Sequence, residues 1–178
     1  MGSSSVHRLR GIGLIAADTA SVYDVVDNQS DKWDDGIKEF ATLREELDPS
    51  GAEIETCYAR YNIGGGPFVK DRDFVYTEVR QQLPGGVFYV FARSVDPAKE
   101  ATLAAGIQSK GAVRGTMGDS GWVIAPTSDG HSHVTYVLAA DLKGDLPAWM
   151  VNKGSADEMK AVHEVRKLAL KKAAAGES

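Results

Sequence analysis

The sequence predicts an α+β domain in which an antiparallel sheet packs against a long C-terminal helix. Strand-like segments follow one another through the middle of the chain and are joined by short Gly- and Pro-rich turns such as 83–86. The end of the chain instead carries Val162, Val165, Leu168 and Ala169 at helical spacing. A helix with one apolar face must bury it, and the sheet is the available partner.

The first strand is predicted over residues 8–16. It contains Gly11 and Gly13, which alternate and therefore point to one face of the strand. Two side-chain-free positions on one face predict the close approach of another element there.

Two helical segments are predicted after this strand. The first begins at Asp18 or Thr19, either of which is suited to cap it, and presents Val22, Val25 and Val26 on one side. The second is a short helix over residues 38–47, with these apolar residues on one side: Phe40, Leu43 and Leu47.

Strands are then predicted at 53–63, 72–81, 87–95 and 132–142, with one or two more within 112–125. The strand at 87–95 is apolar on both faces, because Phe88, Val90 and Ala92 alternate with Val87, Tyr89 and Phe91. A strand of this kind is covered on both sides. One cover is a helix, and the other is open to a ligand.

Residues 96–111 lack a strand pattern and form a long loop or a short helix, a length that is typical of functional loops. The last helix is predicted from Asp145, with Pro147 in its first turn and a kink near 154–155. Trp149 and Met150 near its start suit either a core or a lid over an apolar cavity.

The composition excludes several classes of function. The chain has 178 residues, enough for one domain with a core, and its net charge of −5 argues against a nucleic-acid partner. A single cysteine, Cys57, cannot form an internal disulfide and fits a reducing, cytoplasmic location. No stretch offers the roughly 20 consecutive apolar residues of a membrane span. Residues 1–7 resemble a tag remnant or a disordered end, so the domain is expected over 8–174.

No motif for catalysis or metal binding emerges. His131 and His133 follow a turn and lack further ligands, so exposure is the simpler interpretation. The glycines at 64–66 lack the Lys-Ser/Thr ending and the following helix of a phosphate-binding loop. We therefore expect no catalytic residue, no metal and no cofactor.

Several motifs in order resemble the START family of lipid-transfer domains. The clearest are Arg-Asp-Phe-Val at 72–75, Ala-Val-Arg-Gly at 112–115, Gly-Trp-Val-Ile-Ala-Pro at 121–126 and Asp-Leu-Lys-Gly-Asp-Leu-Pro at 141–147. Residues 91–96 and Trp33 also fall in the expected order. The resemblance implies a helix-grip fold, a curved antiparallel sheet on a long C-terminal helix, enclosing a hydrophobic tunnel that holds one lipid or sterol.

The resemblance also implies where the ligand lies. Segment 97–110, with Leu103 and Ile107, matches the omega loop that gates the tunnel together with the last helix. The expected ligand-binding residues are Arg72, Phe74, Tyr89, Phe91, Arg114, Tyr136, Trp149, Met150, Met159, Val162 and Val165. Arg72 and Arg114 have two readings: each meets a lipid headgroup, or each pairs with a carboxylate or carbonyl, since buried charge must be paired.

The chain departs from the family pattern at its start, where a helix and one or two strands usually precede the strand at 8–16. A monomer is expected, with pairing through a free sheet edge as the alternative. The expected function is lipid or sterol binding for transfer or sensing, with transient membrane contact. The alternatives are a cyclase- or hydrolase-like enzyme on the same scaffold and a regulatory module that binds a protein.

Overall fold

The computed structural model describes residues 7–34, 36–64, 69–107, 109, 111–144, 146 and 160–175. Within them the helices are α1 (Thr19–Asn28), α2 (Ser30–Trp33), α3 (Pro97–Leu103) and α4 (Ala161–Ala175). The strands are β1 (His7–Ile15), β2 (Ile37–Leu47), β3 (Glu53–Tyr61), β4 (Arg72–Leu83), β5 (Val87–Ser94), β6 (Val113–Arg114), β7 (Thr116–Met117), β8 (Ser120–Pro126) and β9 (Ser132–Asp141).

The strands form a single curved sheet. Its order is β1-β9-β8-β5-β4-β3-β2, with β6 beside β4 and β7 beside β9. Neighbours along this path are antiparallel, and only the short β6–β4 pair is parallel among the described strands. The predicted α+β, helix-grip architecture is confirmed.

The helix predicted over 38–47 is wrong, because these residues form β2. Phe40 and Leu47 fit a helical stripe, yet they are 50% and 74% exposed, so that stripe has nothing to pack against. The segment instead pairs along its length with β3. Backbone pairing with a partner distant in sequence outweighs a weak local helical pattern.

The long helices cover one face of the sheet, which we call the inner face. α1 begins at its cap Asp18, whose carboxylate accepts a hydrogen bond of 2.9 Å from the Ser21 amide. The buried residues of α1 are packed with Val165 of α4 and with Trp122 of the sheet. No described helix is long and apolar enough to cross a membrane.

Gly11 and Gly13 allow α4 to lie directly on β1. A Cβ atom at Gly11 would lie 2.8 Å from one methyl carbon of Val162, and a Cβ atom at Gly13 would lie 2.7 Å from the other. Both distances are shorter than real carbon contacts, so any side chain here would force the helix outward. The predicted close approach on this face is confirmed.

Residues 96–111 were predicted to form either a long loop or a short helix, and the structure has the short helix α3 there. Asp96 caps α3 by accepting a 2.8 Å hydrogen bond from the Ala98 amide. The next predicted strand region is divided into β6, β7 and β8. The predicted start of the last helix at Asp145 and Pro147, and its kink near 154–155, lie outside the described residues.

Candidate functional site

The inner face carries two separate apolar clusters. In the first, sheet residues pack directly against α1 and α4, so this region is an ordinary helix-on-sheet core. Its buried members are Ile15, Ala17, Val22, Val25, Val26, Val90, Trp122, Ile124, Val134, Tyr136, Ala161, Val162, Val165 and Ala169.

The buried residues of the second cluster all come from the sheet. Its buried members are Cys57, Ala59, Phe74, Tyr76 and Ala92. Partly buried Tyr61, Met117 and Leu142 pack against them. Within the part of the chain that the structure describes, this cluster has no helical member. It is therefore an apolar floor on the inner face, separate from the region that α1 and α4 fill.

A charged cluster centred on Arg80 lies between the two apolar clusters. Arg80 Nε is 2.7 Å from Asp27 Oδ1 of α1. Arg80 Nη1 is 2.5 Å from Glu55 Oε1, and Nη2 is 2.7 Å from Glu78 Oε1. In the sheet register, Arg80 is opposite Val90 of the first cluster and Glu78 is opposite Ala92 of the second. The charges thus mark the boundary of the apolar floor.

Burial shifts the pKa values in this charged cluster. Desolvation raises the pKa of Glu78 and of Asp27, although the Arg80 charge opposes both shifts. Desolvation lowers the pKa of the Arg80 guanidinium. The net shift is nevertheless upward, because of the hydrogen bond to Glu55 and the charges of Glu78 and Asp27. The nearby Cys57 thiol has a pKa raised to about 12, first by burial and then by the charges of Glu78 and Glu55.

Arg72 holds the chain where it leaves β9. It donates from Nε to the Leu142 carbonyl at 2.6 Å and from Nη2 to the Lys143 carbonyl at 3.1 Å. Its Nη1 donates to the Lys70 carbonyl at 2.5 Å. Every one of these bonds goes to backbone, and burial lowers the pKa of the guanidinium. Of its two sequence interpretations, these contacts favour pairing with carbonyls.

Asp73 holds Arg114 in a two-point contact. Arg114 Nε and Nη2 lie 2.9 and 3.0 Å from the two carboxylate oxygens of Asp73, which is fully buried. Arg114 Nη1 also bonds to Glu100 of α3. The Asp73 hydrogen bond is the main reason that the pKa of Arg114 is raised. These contacts favour the pairing interpretation for Arg114 as well.

Phe74 completes this run of three residues. Its ring lies on the floor of the second cluster, edge-on to Tyr61 with ring centroids 5.9 Å apart. A Cβ atom at Gly115 would lie 2.4 Å from its Cε1, so the glycine is what lets β6 and β7 meet over the ring. Arg72, Asp73 and Phe74 therefore each fix a different segment around the apolar floor.

The family model of the START domain matches residues 2–172. The chain belongs to the START domain family.

Solved structures agree with this START fold. The human StarD13 (DLC2) lipid transfer and protein localization domain is 24% identical, with a TM-score of 0.71, and the match covers 90% of this chain and 76% of that one. Human STARD10 is 24% identical, with a TM-score of 0.73, over 94% of this chain and 65% of that one. A STAR-related lipid transfer protein fragment from Xanthomonas axonopodis is 21% identical, with a TM-score of 0.66, and the match covers 95% of this chain and 89% of that one. No curated protein sequence matches the chain.

This START domain brings only part of the predicted site together. Phe74 lies in the second apolar cluster, whereas Tyr136, Val162 and Val165 lie in the first. Tyr136 stacks on Trp122 with ring centroids 4.3 Å apart. Trp149, Met150 and Met159 lie outside the described residues, so their predicted role stays a prediction.

Other predicted residues lie away from the inner face. Tyr89 and Phe91 alternate with the inward Val90 and Ala92 and stack on each other, with centroids 6.2 Å apart, on the outer face. Leu103 and Ile107 are half-buried. Leu103 is the last residue of α3, which is tied through Glu100 and Arg114 to Asp73. The Asp73 side chain lies on the outer face, because it alternates with the inward Arg72 and Phe74. The gating role of this segment remains a prediction.

The charged cluster was missed by the sequence reasoning, although one signal was present. Strand β4 alternates, so Arg72, Phe74, Tyr76, Glu78 and Arg80 share the inner face. Charged residues following aromatic ones on a core-facing side predict a buried ion-pair network.

His131 and His133 lie where the sequence placed them, at the turn before β9 and at its start. His131 Nδ1 lies 3.2 Å from Asp129 Oδ2 in the turn before β9. Among the described residues, no group of three or more His, Cys, Asp or Glu side chains is arranged to hold a metal ion.

Proposed function

We propose that this START domain binds a single lipid or sterol molecule in an internal apolar cavity over the inner face of the sheet, for transfer between membranes or for lipid sensing. The observation that carries the proposal is the second apolar cluster. It is a buried floor of small and aromatic side chains made from strands alone. The names of the StarD13 domain and of the Xanthomonas protein both refer to lipid transfer, which supports the proposal.

The energetics of such binding need no reactive group. Each methylene moved from water into an apolar site gains about 0.8 kcal/mol. Ala59 and Ala92 are the smallest side chains of this floor. A hydrocarbon chain or a sterol ring system placed over Phe74 and Tyr76 would gain this contact.

The polar end of the ligand is assigned to the Arg80 cluster. Three carboxylates, those of Asp27, Glu55 and Glu78, surround a single guanidinium, so acceptors outnumber cations there. Buried acceptors are stabilised by hydrogen-bond donors. The ligand therefore carries a hydroxyl or an ammonium at its polar end, as a sterol, a diacylglycerol or an amine lipid does.

Lipid capture tests the proposal directly. The protein, purified from cells without detergent, is analysed by native mass spectrometry and its organic extract is identified. One lipid per chain is expected. An empty protein that also takes up no labelled phospholipid, sterol or fatty acid would overturn the proposal.

A pair of substitutions tests the location. Ala92→Phe fills the floor and is expected to abolish lipid capture while thermal unfolding stays cooperative. Val123→Phe adds the same ring on the outer face, where the side chain is exposed, and is the matched control that keeps the lipid. If Ala92→Phe unfolds the protein instead, the floor is a filled core and the cavity lies elsewhere.

A second candidate is an enzyme that acts on a hydrophobic small molecule. Glu78 and Asp27 favour it, because both face the interior and burial raises the pKa of each. Inward carboxyl groups with raised pKa values are candidates for proton transfer in catalysis. Incubation of the loaded protein distinguishes the candidates: a carrier returns its ligand unchanged in mass, whereas an enzyme yields a product that Glu78→Gln does not form.

A further inference from the structure

The exposed side of α4 carries most of the positive charge of this helix. The helix has three Lys and one Arg against one Glu, a net charge of +3 in a chain whose net charge is −5. Its buried residues are Ala161, Val162, Val165 and Ala169. With about 3.6 residues per turn, Arg166, Lys167 and Lys171 lie on the opposite side, and all three are exposed. We call these three residues the cationic face.

The stability of α4 does not account for the cationic face. Lys167 contacts Glu164 at 3.2 Å, but neither Arg166 nor Lys171 forms an ion pair with another described residue. Cations stabilise a helix when a carboxylate lies three or four residues away, or when they lie in the last turn. Arg166 has neither advantage, and Lys171 lies four residues from Lys167, a spacing at which like charges repel. Charges that do not stabilise their own helix indicate a contact outside it.

The chemistry of the cationic face fits the surface of an anionic membrane. None of the exposed large apolar side chains among the described residues belongs to α4. The face therefore lacks the kind of anchor residue that concentrates binding energy in a protein interface. Basic side chains spread along a helix instead bind anionic headgroups through their combined charge. Since the chain as a whole is acidic, the field of such a membrane turns this face toward it.

We infer that the cationic face of α4 is a docking surface for a membrane that contains anionic lipids. Arg166, Lys167 and Lys171 contact the headgroups, while Val162 and Val165 on the other side of the helix stay packed in the first apolar cluster. The contact is electrostatic, reversible and sensitive to salt, because the face has no large apolar group to insert. The inference does not depend on a lipid bound in the proposed cavity. It specifies the surface at which a carrier would meet the membrane.

Vesicle co-sedimentation tests the docking surface. Vesicles of phosphatidylcholine alone are compared with vesicles that also contain about 30% phosphatidylserine. The protein is expected to bind only the anionic vesicles, and raising the salt concentration from about 0.05 M to about 0.5 M is expected to release it. A protein that binds both kinds of vesicle equally, or that binds neither at low salt, would overturn the inference.

Charge substitutions locate the contact. Arg166→Gln combined with Lys171→Gln is expected to weaken binding to anionic vesicles by about tenfold or more. Arg10→Gln combined with Lys38→Gln makes the same change in net charge at exposed positions of β1 and β2, and should leave the binding unchanged. Arg166→Lys keeps the charge and should bind like the wild type. If the two double variants bind equally well, the contact lies elsewhere and the inference is wrong.

Further measurements separate the docking surface from the proposed cavity and from other partners. Ala92→Phe should still bind anionic vesicles although it is expected to capture no lipid, so the two proposals can fail independently. Loss of vesicle binding in this variant would show that the vesicles act through the cavity. Retention on polyglutamate or on duplex DNA by a protein that binds no vesicles would assign the cationic face to an acidic protein or to a nucleic acid, and would contradict the inference.

Discussion

Asp73 and Arg114 face each other with two nearly equal contacts, 2.9 Å from Nε and 3.0 Å from Nη2 to the two carboxylate oxygens. The carboxylate is fully buried, while the guanidinium reaches toward the surface and also contacts Glu100. Because β6 pairs with β4 at these two residues, the contact fixes the segment that follows α3 onto the sheet. In the Arg-Asp-Phe run that resembles the family motif, the central Asp73 therefore has a structural role: it holds Arg114.

Removal of the guanidinium is expected to be costly. Arg114→Met leaves the Asp73 carboxylate buried without its cation, which costs about 3–5 kcal/mol. Adding Asp73→Asn to Arg114→Met removes the unpaired charge and recovers part of the loss. Urea unfolding at neutral pH measures both variants, with Glu100→Gln as the control that costs less because Glu100 is partly exposed. A double variant no more stable than Arg114→Met would contradict this account.

The contact between Gly13 and Val162 predicts a compensating pair of substitutions. Gly13→Ala forces α4 away from β1 and is expected to destabilise the protein by about 1–3 kcal/mol. Val162→Ala removes the colliding methyl groups, so the double variant should be more stable than the sum of the single effects by roughly 0.5–3 kcal/mol.

Chemical denaturation of the four proteins completes this cycle. Ile12→Ala, on the same strand but exposed on the other face, is the control and should change stability by about 0.5 kcal/mol or less. Strict additivity of Gly13→Ala and Val162→Ala would show that the helix does not bear on the glycine.

The features that could be predicted from the sequence were those that appear as a pattern within a single helix or strand. The alternation of Gly11 and Gly13 predicted that another element approaches that face of β1. The apolar stripe through Val162 and Val165 predicted which side of α4 is buried. β2 was not predictable in this way, because its strand character comes from pairing with β3 and not from its own pattern.

The site was less predictable because it depends on which residues meet. Asp27 is on α1, Glu55 on β3 and Glu78 on β4, and only the assembled sheet brings them to Arg80. The face of each β5 residue could not be chosen from sequence, since both faces are apolar. Tyr89 was predicted to contact the ligand, and it lies on the outer face of β5.

Glu78 predicts a stability change with pH. Because burial raises its pKa above the ordinary value of 4.5, the native state holds its proton at pH values where the unfolded chain has lost it. The stability contributed by the protonated group is therefore present below about pH 4.5 and is lost as pH rises through the raised pKa. Glu78→Gln removes this dependence, so its stability relative to wild type should improve as pH rises from 4 toward 7.

Asp24 provides a control, because its stability contribution changes with pH in the opposite direction to that of Glu78. Its pKa is lowered, mainly by the hydrogen bond from Lys172, so its contribution is present above about pH 3.8 and is lost as pH falls. Asp24→Asn should therefore lose stability relative to wild type as pH rises through the acidic range. Thermal unfolding of the three proteins in a pH series provides the comparison. A Glu78→Gln curve parallel to that of wild type would show that this carboxyl titrates normally.

Cys57 gives a probe of the apolar floor that needs no substitution. Its thiol is buried in the second cluster and has a pKa of about 12, so at pH 8 only a fraction on the order of 10⁻⁴ is thiolate. A disulfide reagent should therefore label the native protein slowly and the urea-unfolded protein at once. Added lipid is expected to slow the native reaction further, because the proposed ligand over Phe74 and Tyr76 stabilises the native state in which the thiol is buried. Stoichiometric labelling of the native protein on mixing would show that the thiol is exposed. If native mass spectrometry shows that lipid is bound and the labelling rate does not change, the ligand lies away from this floor.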